Sequence, residues 1–178
     1  MAQSAQDNPL DDRQLALSLG CSLEAVQLAR GSDLIDLHID TFIPPRLWGY
    51  DVFKRHRRAL GGRHFFGHLD LPRMQEGGLS GAMWSITTNP FRPARDRWRT
   101  FERNLRRLRE LIYRSRGQLV EARNVAEYRK ARADGAHACL LAIQGGNALE
   151  AAPDGVASLP EDVITRVTLV HLTTSCYG

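Results

Sequence analysis

The chain has 178 residues, 43% of them hydrophobic and 25% charged, a balance that excludes a disordered, fibrous or collagen-like protein. Its net charge of +4 rests on basic residues that are arginines except for Lys54 and Lys130; no nucleic-acid recognition motif accompanies them, so no nucleic-acid partner is expected. Cys21, Cys139 and Cys176 lie far apart without a C-x-x-C spacing, which argues against a disulfide framework or a zinc finger.

The first ten residues are polar, with neither the basic start nor the apolar core of a secretory signal. No apolar stretch reaches the ~20 residues of a membrane-spanning helix, and the chain reads as cytoplasmic. Asp11–Leu19 and Leu23–Ala29 read as short helices, the first ended by Gly20 and the second capped by Ser22. They make residues 1–32 an N-terminal helical segment, followed by a body over 33–178.

The body opens with a strand expected to be buried, Asp33–His38. Residues 41–80 are irregular and rich in Pro, Gly and aromatics, a composition more typical of a functional loop than of a linker. Within them Leu69–Gly77 reads as a short helix. His64, His68 and Asp70 have the outline of a metal motif but read better as loop residues. Trp48, Tyr50 and Phe53 suit a pocket wall or a loop anchor equally.

Gly81–Thr87 is a second strand. Asp96–Arg116 is the clearest helix, with Trp98, Phe101, Leu105, Leu108 and Ile112 at steps of three and four facing a sheet. The arginines between Arg92 and Arg132 read as a solvated helical face. Asn124 caps a helix running to Ala133, Ala138–Ile143 is a third strand, Leu159–Asp162 leads into a short helix, and Val167–Leu172 is a fourth strand. Buried strands alternating with helices, without hairpin signals, predict an α/β fold with a parallel sheet.

Polar residues collect at the C-terminal ends of these strands, the edge where parallel α/β folds build their sites. His38 and Asp40 are two residues apart and so share a strand face. Ser85 with Thr87 and Thr88 ends the second strand, Gln144-Gly145-Gly146 the third, and His171 the fourth.

Taken in order, LIDLHID, GLSGAMWSIT, AIQGGNAL and RVTLVHLTTS resemble the strand motifs of the membrane (renal) dipeptidases, zinc metallopeptidases with an amidohydrolase-like barrel. The resemblance covers about residues 23–178, the N-terminal half of the family's length. It implies the N-terminal half of a (βα)8 TIM barrel, truncated after the fourth strand, and a family cofactor of two zinc ions. His38 and Asp40 take the place of ligands to one ion. Gln144 stands where the family has a Glu bridging both, and a neutral amide is a poor bridge between cations. His171 takes the place of the histidine that contacts substrate and stabilises the tetrahedral intermediate.

The implied function is metal-dependent hydrolysis of dipeptides or similar small amides. The alternative is a non-catalytic relative that binds a small ligand or a partner chain in the same cleft. Half a barrel would leave sheet edges and an apolar inner face uncovered, so a homodimer or association with a C-terminal half is expected.

Overall fold

The computed structural model describes residues 10–40, 42–43, 45, 49–56 and 69–178. Trp48, His64 and His68 lie outside the described residues. Two helices come first, α1 (Asp12–Leu19) and α2 (Leu23–Gly31). Asp11 and Gln14 close a capping box on α1, Gly20 ends it in a left-handed conformation, and the Ser22 hydroxyl accepts from the Ala25 amide to start α2.

Five strands form one sheet: β1 (Leu34–Ile39), β2 (Leu79–Thr87), β3 (Leu119–Glu121), β4 (His137–Gln144) and β5 (Ile164–Thr168). All neighbours run parallel, in the order β1-β2-β4. β2 is bonded along most of β4. The other edge of β4 is divided: β3 pairs with its first residues, from His137 to Cys139, and β5 with its last, from Leu141 to Gln144. β3 has no counterpart in the sequence expectations, because three residues are too short to show a period.

Between the strands run α3 (Leu71–Glu76), α4 (Ala94–Arg114) and α5 (Val125–Ala133), with two short 3-10 turns at Gly146–Leu149 and Gly155–Ser158. The expected apolar stripe holds. Phe101, Leu105, Leu108 and Ile112 of α4 are buried in one cluster with Ala82, Trp84 and Ile86 of β2 and Cys139, Leu141 and Ile143 of β4, and Trp98 packs on its margin. Burying side chains of this size is worth about 1.5–3 kcal/mol each. A smaller cluster joins Tyr128 and Ala131 of α5 to Ala138, with Ile35 against it. A methyl group at Gly81 would stand 3.2 Å from the Tyr128 ring and from the Ala138 carbonyl, so a side chain there would press on α5 and β4.

Two strand expectations need correction. β1 is not buried: Leu34 and Leu37 are 49% and 63% exposed, because among the described residues β2 alone pairs with β1 and nothing covers those side chains. The fourth strand is Ile164–Thr168 rather than Val167–Leu172, since its ladder stops where β4 stops, at Gln144 opposite Thr168. Leu172 then takes a positive φ of 62°, and His171 forms a tight antiparallel bridge with Thr173 instead of continuing the strand. The segment after Leu159-Pro160 is a turn over Glu161–Val163, not a helix. The arginine-rich face of α4 is exposed as expected except at Arg97, which is buried and bonds the Asn147 carbonyl and Glu150.

Candidate metal and substrate site

Strand alternation puts one set of side chains on the α4 side and the other on the open face. Ser85 is level with Ala142, which is level with Arg166, and Thr87 is level with Gln144. His38 shares that open face, since its neighbour Ile39 belongs to the core. The C-terminal edge therefore brings together His38, Ser85, Gln144 and Arg166, with Asp40 just past β1 and His171 just past β5.

His38 Nε2 lies 3.6 Å from Asp40 Oδ1, too far for a hydrogen bond. Asp40 Oδ1 is nonetheless a buried atom without a hydrogen-bond partner, and so is Gln144 Oε1. Two buried acceptors left unsatisfied at one sheet edge are unusual, because desolvating such oxygens without a partner costs about 1–3 kcal/mol each. Gln144 Nε2 lies 3.1 Å from His171 Nε2. An amide N–H has only a proton to offer, so the imidazole accepts at that nitrogen. Gly145, at φ 103°, turns the chain directly after Gln144; a methyl group there would meet Asn147 Oδ1 at 2.8 Å. Asn147 in turn donates to Thr173 at 2.9 Å, which ties the turn after β4 to the segment carrying His171.

Arg166 was not among the residues expected at the site. Its guanidinium reaches from β5 to β1 and β2: Nη2 lies 2.8 Å from His38 Nδ1 and 3.2 Å from Ser85 Oγ, and Nη1 bonds the Leu37 carbonyl. Ser85, itself fully buried, is 3.2 Å from His38 Nδ1. The available signal was a single charged residue inside an otherwise apolar and Thr-rich strand, ITRVT, where a charged side chain needs partners. The four expected residues are thus brought to one edge in two pairs, His38 with Asp40 and Gln144 with His171. Among the described residues, no three His, Cys, Asp or Glu side chains converge as a ready metal cluster.

Asp70 serves a different purpose. Its fully buried carboxylate accepts from the His56 amide at 2.8 Å, the Arg73 amide at 3.0 Å and Arg73 Nε at 2.8 Å. Burial pushes this carboxyl up, but the hydrogen bonds from His56 and Arg73 outweigh burial and hold it below its ordinary range. Tyr50 stacks on the His56 ring and donates to the Leu69 carbonyl, and both Tyr50 and Phe53 pack on the core. In the described residues, Tyr50 and Phe53 anchor the loop.

No helix among the described residues is long and apolar enough to cross a membrane. Solved structures to which the chain is similar include the following three. One is the dipeptidase AC, a metallopeptidase of family M19, at 24% identity and TM-score 0.62, over 78% of this chain and 42% of that one. Another is an amidohydrolase from Pseudomonas aeruginosa, at 20% identity and TM-score 0.56, over 84% and 37%. A third is a metallopeptidase from Rhodobacter sphaeroides liganded with a phosphinate mimic of the dipeptide L-Ala-D-Ala, at 23% identity and TM-score 0.53, over 70% and 41%. The chain therefore spans about two-fifths of the length of these relatives, and its alternating helices and parallel strands are the corresponding portion of a TIM barrel. No curated protein matches it significantly. The membrane dipeptidase model, peptidase family M19, matches residues 23–178, and the chain belongs to that family.

Proposed function

We propose that the complete protein to which these residues belong hydrolyses dipeptides or similar small amides with the help of one divalent cation, zinc by family habit. The observation that carries this reading is the pair His38 and Asp40, 3.6 Å apart, with Asp40 Oδ1 buried and without a hydrogen-bond partner. With its ring proton on Nδ1, His38 would offer a cation the Nε2 lone pair beside a carboxylate oxygen that has no hydrogen-bond partner. The donor set fits one ion and not two: the position between the two ions would fall to Gln144, which carries no charge, and a guanidinium already lies on the far side of His38.

A bound cation would supply a water of lowered pKa and polarise the amide carbonyl. The chain's own residues supply the rest. His38 and Asp40 would hold the ion. His171, past the end of β5, would donate from Nδ1–H to the substrate carbonyl as charge develops on it, since its Nε2 accepts from Gln144. Gln144 fixes the His171 ring by its hydrogen bond. The tie between Asn147 and Thr173 holds the turn that follows Gln144 to the segment that carries His171.

The test is metal analysis and dipeptide hydrolysis on the product of the complete gene. About one zinc per chain, with hydrolysis lost in His38→Ala and in Asp40→Ala, supports the reading. Binding of dipeptides without zinc and without turnover replaces it with the second reading, a non-catalytic relative that holds a small ligand in the same cleft. That second reading draws support from Gln144, because its amide occupies the His171 Nε2 lone pair.

A further inference from the structure

We infer that Arg166 is an internal gate on the metal position: a guanidinium whose hydrogen bond to His38 and a cation bound to His38 exclude one another. The inference rests on the metal-site reading of His38 and Asp40.

It begins with the chemistry of the donors. A guanidinium has five N–H groups and no acceptor. With Arg166 Nη2 at 2.8 Å from His38 Nδ1, that ring nitrogen must accept, and the neutral ring then carries its proton on Nε2. Nε2 is the nitrogen that faces Asp40. A metal ion needs the Nε2 lone pair, which this tautomer does not have. Supplying it moves the proton to Nδ1, and there the N–H would point at the N–H of Arg166. Two donors cannot share that contact, so Arg166 must withdraw before a cation is held between His38 and Asp40.

The alternative partner for Nδ1–H is already in place. Ser85 Oγ lies 3.2 Å from His38 Nδ1 and 3.2 Å from Arg166 Nη2. When Arg166 leaves, the hydroxyl can accept from Nδ1–H and hold the ring in the metal-binding tautomer, the usual duty of a partner behind a ligating histidine. Arg166 Nε has no hydrogen-bond partner, so among the described residues the guanidinium is fastened by its two terminal nitrogens. Those two nitrogens grip β1 and β2, while the main chain of Arg166 belongs to β5. The gate thus also bridges strands at opposite sides of the described sheet.

The experiment compares the complete wild-type protein with Arg166→Gln and Arg166→Leu, reading zinc affinity by chelator competition and the His38 ring nitrogens by 15N NMR in the metal-free state. The expected result is a ring protonated on Nε2 in the wild type, and a rise in zinc affinity of about tenfold or more in both variants. Circular dichroism identifies a variant that has lost its fold, and the wild-type tautomer measurement stands without any variant. A wild-type ring protonated on Nδ1, or folded variants whose zinc affinity is unchanged or lower, overturns the gate. Tighter zinc binding without any dipeptide hydrolysis leaves the gate standing and removes the hydrolase reading instead.

Discussion

The Gln144 amide nitrogen stands 3.1 Å from His171 Nε2, so the last residue of β4 determines which nitrogen of a histidine 27 positions later bears the proton. A glutamate at the same place would do the reverse. It would accept from Nε2–H and leave Nδ1 to accept. One change from carboxylate to amide therefore alters two things together, the charge available to a cation and the tautomer presented to a substrate.

Gln144→Glu is accordingly expected to raise zinc affinity about tenfold, or about 1.4 kcal/mol, and to move the His171 ring proton to Nε2. Zinc titration and ring 15N shifts check the two effects separately. A carboxylate that changes neither would remove Gln144 from the site.

Replacing His171 with alanine is expected to lower kcat for dipeptide hydrolysis by about a hundredfold. The zinc content should stay that of the wild type, because His171 is paired with Gln144 rather than with His38 and Asp40. Steady-state kinetics with metal analysis separates the two. Loss of zinc in this variant would make His171 a ligand.

His137 predicts an acid sensitivity unrelated to the site. Its Nε2 accepts from Trp84 Nε1 at 3.2 Å and its Nδ1 donates to the Leu79 carbonyl at 2.9 Å, the pattern of a neutral ring. Burial lowers its pKa below the ordinary value of 6.5, against the opposing pull of the Leu79 carbonyl. The unfolded chain then binds the proton more readily than the folded one. Stability is expected to be complete above about pH 6.5 and to fall as the pH drops from there towards the folded-state pKa. Thermal melts between pH 8 and pH 5 should show a shallower decline for His137→Phe than for the wild type.

Asp70→Ala is expected to cost about 3 kcal/mol, since the fully buried carboxylate caps α3 and holds both the His56 amide and Arg73. Because its pKa is depressed, the wild-type contribution persists at neutral pH and is lost only as the pH falls below the usual carboxylate value of about 3.9. Urea unfolding of the two proteins at pH 7 measures the difference.

The sequence carried α1 to α5 and the alternation of strands with helices, because caps and periods are local, but not the turn over Glu161–Val163, where a helix was expected. Asp11, Ser22 and Asn124 each bond the backbone amide three residues on, as their types suggest. The stripe from Phe101 to Ile112 is a long repeat of one period. Strand ends were harder. The run VTLVHL has no break to show where β5 stops, and only the length of β4 decides it. The exposure of Leu34 and Leu37 depends on which strands stand beside β1, a property no local pattern records. His38, Asp40, Gln144 and His171 were legible as strand-end polar groups, but Arg166 was not. Its partners are 128 residues away at His38 and 81 residues away at Ser85, and a lone arginine in a strand does not name them.

The divided edge of β4 implies an order of stiffness among the site groups. Gln144 sits on the strand bonded on both sides, by β2 and by β5. His38 lies on a strand with, among the described residues, β2 alone beside it, and His171 lies beyond the ladder in a two-residue bridge. Amide protons should exchange slowest in β4, sooner in β1 and soonest around His171. A ligand entering this cleft would meet a fixed centre and adjustable flanks, so closure on it is expected from His38 and His171 rather than from Gln144.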